Sequence, residues 1–112
     1  MKKITSLIVV MLLMVAGSLV AQTTTITIKT SAECGTCKKK IEHDLPFEKG
    51  VQSVNLNLDN KVVTVVYNAA KTNPDKIRKA IAHMGYDADD IPADKKAYDK
   101  LEECCKKDGH KD

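Results

Sequence analysis

Two cysteines three positions apart are the residues of this sequence best suited to chemistry. Cys34 and Cys37 enclose a Gly-Thr pair, between a strand-like stretch and a helix-like one. At a helix entrance, two thiols with this spacing can turn toward one point. Such a pair either binds a soft metal ion, because thiolates prefer ions such as Cu(I) and Hg(II) to hard cations, or forms a redox disulfide.

The number of sulfur atoms on the loop favours some ions over others. Two thiolates give linear or bent two-coordinate geometry, which Cu(I) and Hg(II) accept, whereas Zn(II) usually takes four ligands. We therefore expect one soft metal ion on Cys34 and Cys37, with Cu(I) favoured and Hg(II), Zn(II) or Cd(II) as alternatives. An open two-ligand site also lets an incoming thiol remove the ion, which suits a carrier or scavenger.

Three consecutive lysines follow the cysteine pair. The positive end of a helix and the ammonium groups of Lys38, Lys39 and Lys40 favour thiolates over thiols. We hypothesise that these lysines tune the site and form a docking surface for an acidic partner. The alternative is an ordinary solvated helix face, which is what most charge runs are.

Two further cysteines near the C terminus are candidate additional ligands. Cys104 and Cys105 could reach the loop and add one or two sulfurs, which would make a tighter buffer or admit zinc or cadmium. The alternatives are a disulfide to the loop pair, a strained disulfide between the two neighbours, or partial burial. His43, His83 and His110 are not expected to be ligands.

The first 21 residues are typical of a secretory signal peptide. Lys2 and Lys3 precede an uncharged, mostly apolar stretch over 4–21, and the composition turns polar after Ala21. We expect cleavage near Ala21 and a periplasmic or secreted protein with no membrane segment after cleavage. The alternative is an uncleaved membrane anchor, because the stretch borders on the ~20 apolar residues that a spanning helix needs.

Charge and aromatic content argue against a nucleic-acid partner. Of the 18 Lys and Arg residues, two lie in the leader, and the others nearly balance 15 Asp and Glu residues. With one Phe and no Trp, the sequence offers little surface for base stacking. The chain left after cleavage is long enough for one small domain with one core, and we expect it to be a monomer.

Alternation of apolar and polar residues predicts the strands. It is clearest over 23–30, 53–59 and 62–67, where β-branched residues are frequent. The turn signal at 59–61 joins the last two strands into an antiparallel hairpin. A short fourth strand is expected over 86–91.

Helical spacing of apolar residues predicts the helices. One begins near Cys37 and ends before Pro46, the second begins at Pro74 and ends at Gly85, and a short amphipathic helix covers 94–107. The order of elements predicts an α+β fold, the ferredoxin-like βαββαβ sandwich. It has a four-stranded antiparallel sheet with two helices on one face, plus a short C-terminal helix.

Together these features resemble the heavy-metal-associated domain family. The resemblance covers about 24–90. It rests on the order of elements, the Cys-x-x-Cys motif entering the first helix, Gly50–Val54 before the second strand, and Ile81–Tyr86 closing the second helix. The family includes small copper chaperones, the periplasmic mercury-binding protein and amino-terminal modules of metal-pumping P-type ATPases.

The resemblance also assigns roles to individual residues. It implies that Cys34 and Cys37 bind the metal, and that Tyr86 approaches the site from the other side. Ser31 and Ala32 stand where the family usually has Gly-Met, with the Met packed beneath the loop. This departure leaves the rigidity of the loop, and its metal preference, open.

We therefore predict an exported protein, not an enzyme, that carries or sequesters Cu(I) or a similar ion. The chain divides into a signal peptide over 1–21, a heavy-metal-associated domain over 22–91 and a helical tail with adjacent cysteines over 92–112. The resemblance implies a metal-transporting P-type ATPase or an efflux component as partner.

Two other functions use the same cysteines. The first is a periplasmic thiol-disulfide oxidoreductase, which Cys-Gly-x-Cys at a helix start also suggests. Against it, no Trp stands beside the motif, and a hairpin follows the helix directly. The second is a small secreted domain stapled by disulfides, although the hydrophobic pattern already provides an ordinary core.

Overall fold

The computed structural model describes residues 23–102 and 105–106. The strands are β1 (Thr23–Lys29), β2 (Val51–Asn57) and β3 (Val62–Asn68). The helices are α1 (Gly35–Asp44), α2 (Pro74–His83) and α3 (Lys95–Asp99), and a 3₁₀ helix over Leu45–Phe47 follows α1. Within these residues, no helix is long and apolar enough to span a bilayer. The predicted signal peptide over 1–21 lies outside them.

The described strands form one antiparallel sheet in the order β1-β3-β2. In both pairings apolar residues face apolar residues: Ile28 opposite Val63 in one, and Leu56 opposite Val63 in the other. Alternation along β3 buries Val63, Val65 and Tyr67 on one face. Because side chains alternate across a strand, a one-residue slip would expose this set, and so the pattern fixes the register.

Both longer helices pack an apolar stripe onto this face of the sheet. Ile41 of α1 and Ile77 and Ile81 of α2 are buried in one core cluster with the strand residues. Asn73 caps α2 by accepting a hydrogen bond from the Lys76 amide, at 2.9 Å. The α+β fold of the sequence prediction is therefore confirmed, with helices over one sheet.

The predicted fourth strand over 86–91 is wrong for this structure. In the part of the chain that the structure describes, isolated bridges join Thr30 to Ala88 and Ala88 to Ile91. Asp89 has a positive φ of 52° and lies in a turn that the Ala88 and Ile91 backbone groups close with two 2.9 Å hydrogen bonds. A tight turn cannot continue a ladder beside β1, and so the sheet ends there.

The predicted tail helix over 94–107 is much shorter than expected. It covers Lys95–Asp99, and the amides of Lys100 and Leu101 then bond three residues back, which closes the last turn. Leu101 and Cys105 beyond it are buried. Packing of these two side chains into the core therefore overrides the local helical pattern.

Candidate metal centre

Three cysteine sulfurs meet where the β1–α1 loop contacts the C-terminal tail. Cys34 Sγ lies 3.2 Å from Cys37 Sγ and 3.7 Å from Cys105 Sγ. Cys37 and Cys105 form a disulfide, with Cα atoms 5.6 Å apart. All three sulfurs lie within 4.8 Å of one another. The two loop cysteines predicted as ligands are thus brought together, and one tail cysteine joins them.

The structure answers two questions that the sequence left open about the cysteines. The first is the redox state of the loop pair: Cys37 is bonded to the tail and not to Cys34. Of the tail alternatives, the disulfide to the loop is the one present for Cys105. Cys104 lies outside the described residues, as does His110. Helical spacing did not select Cys105, because Cys104 and Cys105 lie three and four residues after Leu101 and both spacings fall on one helix face.

The three sulfurs differ in their access to solvent. Cys37 is fully buried and Cys105 is 3% exposed, whereas Cys34 is half-buried. Cys34 is the N-cap of α1, with an extended backbone, and its carbonyl accepts the first helical hydrogen bond from the Lys38 amide at 3.1 Å. Its sulfur therefore lies at the positive end of a helix dipole, where an anionic thiolate is stabilised.

Ser31 and Ala32, the two departures from the family pattern, both have packing roles. Ala32 is fully buried under the loop, and its amide donates to Thr30 Oγ1 at 3.2 Å. The Ser31 hydroxyl accepts a hydrogen bond from the Asp87 amide at 2.9 Å. The Ser31 hydrogen bond ties the loop to the segment after α2, and the Ala32 hydrogen bond lies within the loop. The loop is thus held in place without the usual Gly-Met pair.

A third tie joins the loop to the start of β3. Thr30 donates two hydrogen bonds to the Lys61 carbonyl, one from its amide at 2.8 Å and one from its hydroxyl at 2.9 Å. The Lys61 ammonium lies 3.5 Å from the Glu33 carboxylate. Lys61 lies in the β2–β3 turn with a positive φ of 60°. Through the Lys61 carbonyl and ammonium groups, this turn supports the cysteine loop.

Tyr86 and the histidines occupy different environments. Tyr86 is fully buried and belongs to the core cluster that also contains Cys37 and Cys105. Its direct approach to the ion, implied by the family resemblance, stays a prediction. His43 and His83 are exposed.

Lys38, the first of the three consecutive lysines, makes hydrogen bonds away from the cysteine sulfurs. Lys38 Nζ donates to the Glu42 carboxylate at 3.0 Å and to the Leu56 carbonyl at 2.6 Å. Burial raises the pKa of Glu42, but hydrogen bonds from the Leu56 amide and from Lys38 outweigh it, and the net pKa is lowered. Lys38 thus fastens α1 to β2. Lys39 and Lys40 are exposed, which leaves these two for the predicted docking surface.

The tail is anchored on the end of α2. The Asp94 amide donates to the Ala82 carbonyl at 2.9 Å, and the Asp94 carboxylate caps α3 through the Ala97 amide at 3.0 Å. Gly85 has a φ of +106°, and a Cβ there would lie 3.0 Å from backbone atoms of Ala97 and Tyr98. Close backbone approach and a positive φ both require glycine at this position.

Comparison with known proteins gives a family match and several relatives. A family model described as the heavy-metal-associated domain matches residues 25–87. Copper-transporting ATPase 1 of Rattus norvegicus is 38% identical over 63 residues, which are 56% of this chain and 4% of that protein. Copper chaperone CopZ of Staphylococcus aureus strain JH9 is 39% identical over 54 residues, 48% of this chain and 79% of CopZ. The chain thus spans a small fraction of the ATPase.

Solved structures with the same fold include two forms of MerP. Oxidized MerP from Ralstonia metallidurans CH34 has a TM-score of 0.56 and 27% identity, covering 59% of this chain and 93% of MerP. The mercury-bound form is described as the periplasmic protein from the bacterial mercury detoxification system. It has a TM-score of 0.53 and 25% identity, covering 60% of this chain and 94% of that one.

Proposed function

Since the chain belongs to the heavy-metal-associated domain family, we propose that it binds one soft metal ion through Cys34 and Cys37 and carries or sequesters it. Cu(I) is the favoured cargo, with Hg(II), Zn(II) or Cd(II) as alternatives. The observation that carries the proposal is the 3.2 Å separation of the two loop sulfurs at the start of α1. Two thiolates so placed select polarisable ions over hard cations.

Binding requires the thiol form of the site. One thiol of a dithiol reductant attacks the Cys37–Cys105 bond, which frees one cysteine and leaves the other in a mixed disulfide with the reductant. The second thiol of the reductant then breaks this mixed disulfide and frees the other cysteine. The reductant leaves as a cyclic disulfide, having supplied two electrons and two protons, and Cys37 and Cys105 become thiols. Loading then releases the thiol protons, because the metal ligand is the thiolate.

The unequal exposure of the two ligands supports a transfer function. Cys34 is half-buried and Cys37 fully buried, so that an incoming thiol reaches the ion from the Cys34 side. The ion is then bound by three sulfurs, one of them from the incoming thiol. Cys34 and then Cys37 release the ion. The positive end of α1 offsets the single negative charge of a Cu(I) bis-thiolate throughout.

The signal-like leader and the relatives support a proposal for the location and the partner. The signal-like segment over 1–21 supports export to the periplasm or beyond, and the likeness to MerP agrees with a periplasmic site of action. The likeness to copper-transporting ATPase 1 supports a metal-transporting P-type ATPase, or an efflux component, as the partner. Lys39 and Lys40 would face an acidic surface on it.

A thiol-disulfide oxidoreductase is not favoured. Such an enzyme would cycle a disulfide between the two motif cysteines, whereas here the bond joins Cys37 to Cys105 across 68 positions. The CopZ match is named a copper chaperone. Failure of the reduced protein to accelerate insulin reduction would agree with a binding function, and turnover would favour the enzyme.

A Cu(I) competition titration tests the proposed function. We expect Cys34→Ser and Cys37→Ser each to weaken Cu(I) binding by more than ~100-fold, because even outer-shell partners of a metal ligand are worth about 10- to 100-fold in affinity. His43→Ala is the matched control, since it removes an exposed imidazole from the same helix and should leave the affinity unchanged. Wild-type affinity in both cysteine variants would contradict the proposal.

A further inference from the structure

We propose that Cys105 is a third thiolate ligand, so that the reduced protein holds its cargo in a three-sulfur site shared between loop and tail. This inference rests on the proposed function of Cys34 and Cys37. It starts from the cluster of three sulfurs within 4.8 Å of one another. These sulfurs come from positions 34, 37 and 105, and so the chain must fold back on itself to bring them together.

The two separations measured from Cys34 Sγ are closer to those of a trigonal site than to that of a linear one. With metal–sulfur bonds of about 2.3 Å, as for zinc, three sulfurs in a plane around one ion lie about 4 Å apart. Two sulfurs in a linear site would lie about 4.6 Å apart. Cys34 Sγ lies 3.2 Å from Cys37 Sγ and 3.7 Å from Cys105 Sγ. Both separations are closer to the trigonal value than to the linear one, and the bonded sulfurs of Cys37 and Cys105 must also move apart when the disulfide is reduced.

The tail is held against the domain by contacts other than the disulfide. Leu101 is 6% exposed and belongs to the same core cluster as Cys37. The Asp94 amide bonds to the end of α2. These contacts remain when Cys37 and Cys105 are reduced, and so the Cys105 thiol stays beside the loop.

Gly85 shows that the end of α2 is shaped for the tail. A side chain there would press on the Ala97 and Tyr98 backbone at 3.0 Å, and backbone atoms cannot move aside as the tip of a flexible side chain can. The absence of a Cβ thus allows the tail to approach α2 closely. This close approach is needed to bring Cys105 to the sulfur cluster.

A third thiolate changes what the site does with its ion. In a two-sulfur site the third coordination position is open to an incoming thiol, whereas Cys105 would fill it here. The cargo class narrows to soft ions that accept three sulfurs, which includes Cu(I) and Hg(II). Release then requires Cys105 to dissociate first, and so the protein retains its ion longer than a loop pair alone would.

Sulfur counting by X-ray absorption on the Cu(I)-loaded, reduced full chain tests this inference. We expect three sulfur ligands in the wild type and two in Cys105→Ser. We also expect a loss of at least ~10-fold in Cu(I) affinity and faster transfer to a chelator. Cys104→Ser is the matched control, because it removes the neighbouring thiol of the same tail, and it should keep three sulfurs and wild-type affinity.

Leu101→Ala keeps every thiol and separates ligation from tail packing. Cu(I) in this variant should keep three sulfur ligands, and its affinity should fall less than in Cys105→Ser. Three results would each overturn the inference. They are two sulfur ligands in the wild type, unchanged Cu(I) affinity in Cys105→Ser, and a loss of Cu(I) affinity in Cys104→Ser instead of Cys105→Ser. These results leave the proposed function intact if Cys34→Ser and Cys37→Ser still lose binding. Full binding in those two variants would refute the proposed function itself.

Discussion

At the scale of single residues, the cysteines of the loop are not equivalent. Cys34 caps α1 and is half-buried, whereas Cys37, one helical turn later, points into the core and is fully buried. The sequence predicted that both sulfurs could meet, because their spacing is that of one helical turn. It could not predict the bond from Cys37 to Cys105, because that depends on how the tail folds back over the domain.

Gly85 gives a prediction at the residue scale. Gly85→Ala forces a residue with a Cβ into a φ of +106° and against the tail backbone at 3.0 Å. We expect the free energy of unfolding to fall by about 1–3 kcal/mol, the usual cost of such a strained position. Urea denaturation of the reduced protein measures it.

Gly35→Ala is the matched control for Gly85→Ala. A Cβ at Gly35 would meet no atom within 4 Å, and the residue begins α1. Its unfolding free energy should stay within about 0.5 kcal/mol of the wild type. Equal effects of the two substitutions would show that the tail does not press on α2 as described.

At the scale of elements, α1 is fastened to β2 by one polar network. The Glu42 carboxylate accepts from the Leu56 amide at 2.8 Å, while Lys38 bridges Glu42 and the Leu56 carbonyl. Because β2 is an outer strand, its outward-facing backbone groups need hydrogen-bond partners. The network provides such partners for the amide and carbonyl groups of Leu56. The position of α1, and therefore of both loop cysteines, depends on this attachment.

Glu42 gives the prediction at this scale. Its pKa is lowered from 4.5 in the folded protein, so the unfolded chain binds the proton more readily. Ionised Glu42 therefore stabilises the fold above about pH 4.5, and this contribution is lost as the pH falls through the lower, folded-state pKa. Glu42→Gln should cost about 1 kcal/mol at neutral pH.

Denaturation at several pH values checks this prediction. The difference in unfolding free energy between wild type and Glu42→Gln should shrink below pH 4.5 and vanish in strong acid. The control is Glu48→Gln, which changes an exposed residue and should leave the pH profile as it is. A difference that grows on acidification would contradict the assigned direction of the Glu42 pKa.

The hairpin and helices show where local sequence was sufficient. Alternation from Val62 to Tyr67 gave both the strand and its buried face, and the stripe through Ile77 and Ile81 gave α2. The segment after Gly85 was misjudged because Asp89 adopts a left-handed conformation, which apolar alternation does not reveal. Periodicity reports which side chains can be buried, but it does not report where the backbone turns.

At the scale of the whole molecule, the site depends on parts distant in sequence. The loop supplies Cys34 and Cys37, the β2–β3 turn holds the loop through Lys61, and the tail brings Cys105. The family pattern covers residues 25–87, so the tail lies beyond it. The loop pair could therefore be predicted from sequence and resemblance, whereas the choice of Cys105 required the packing of Leu101.

The state of the Cys37–Cys105 bond should control loading of the whole protein. In the oxidised chain Cys37 cannot act as a thiolate, and so one of the two proposed loop ligands is removed. In the reduced chain the loop pair becomes available to a soft ion. The same unmutated protein can therefore serve as its own control.

Equilibrium dialysis against buffered Cu(I), run in parallel on the fully reduced and the disulfide-bonded wild-type chain, tests the central claim most directly. We predict one Cu(I) per reduced chain, and affinity lower by more than ~100-fold in the oxidised chain, restored when a dithiol is added. A reduced chain that comes out of dialysis without metal, or an oxidised chain that loads equally well, would contradict the claim.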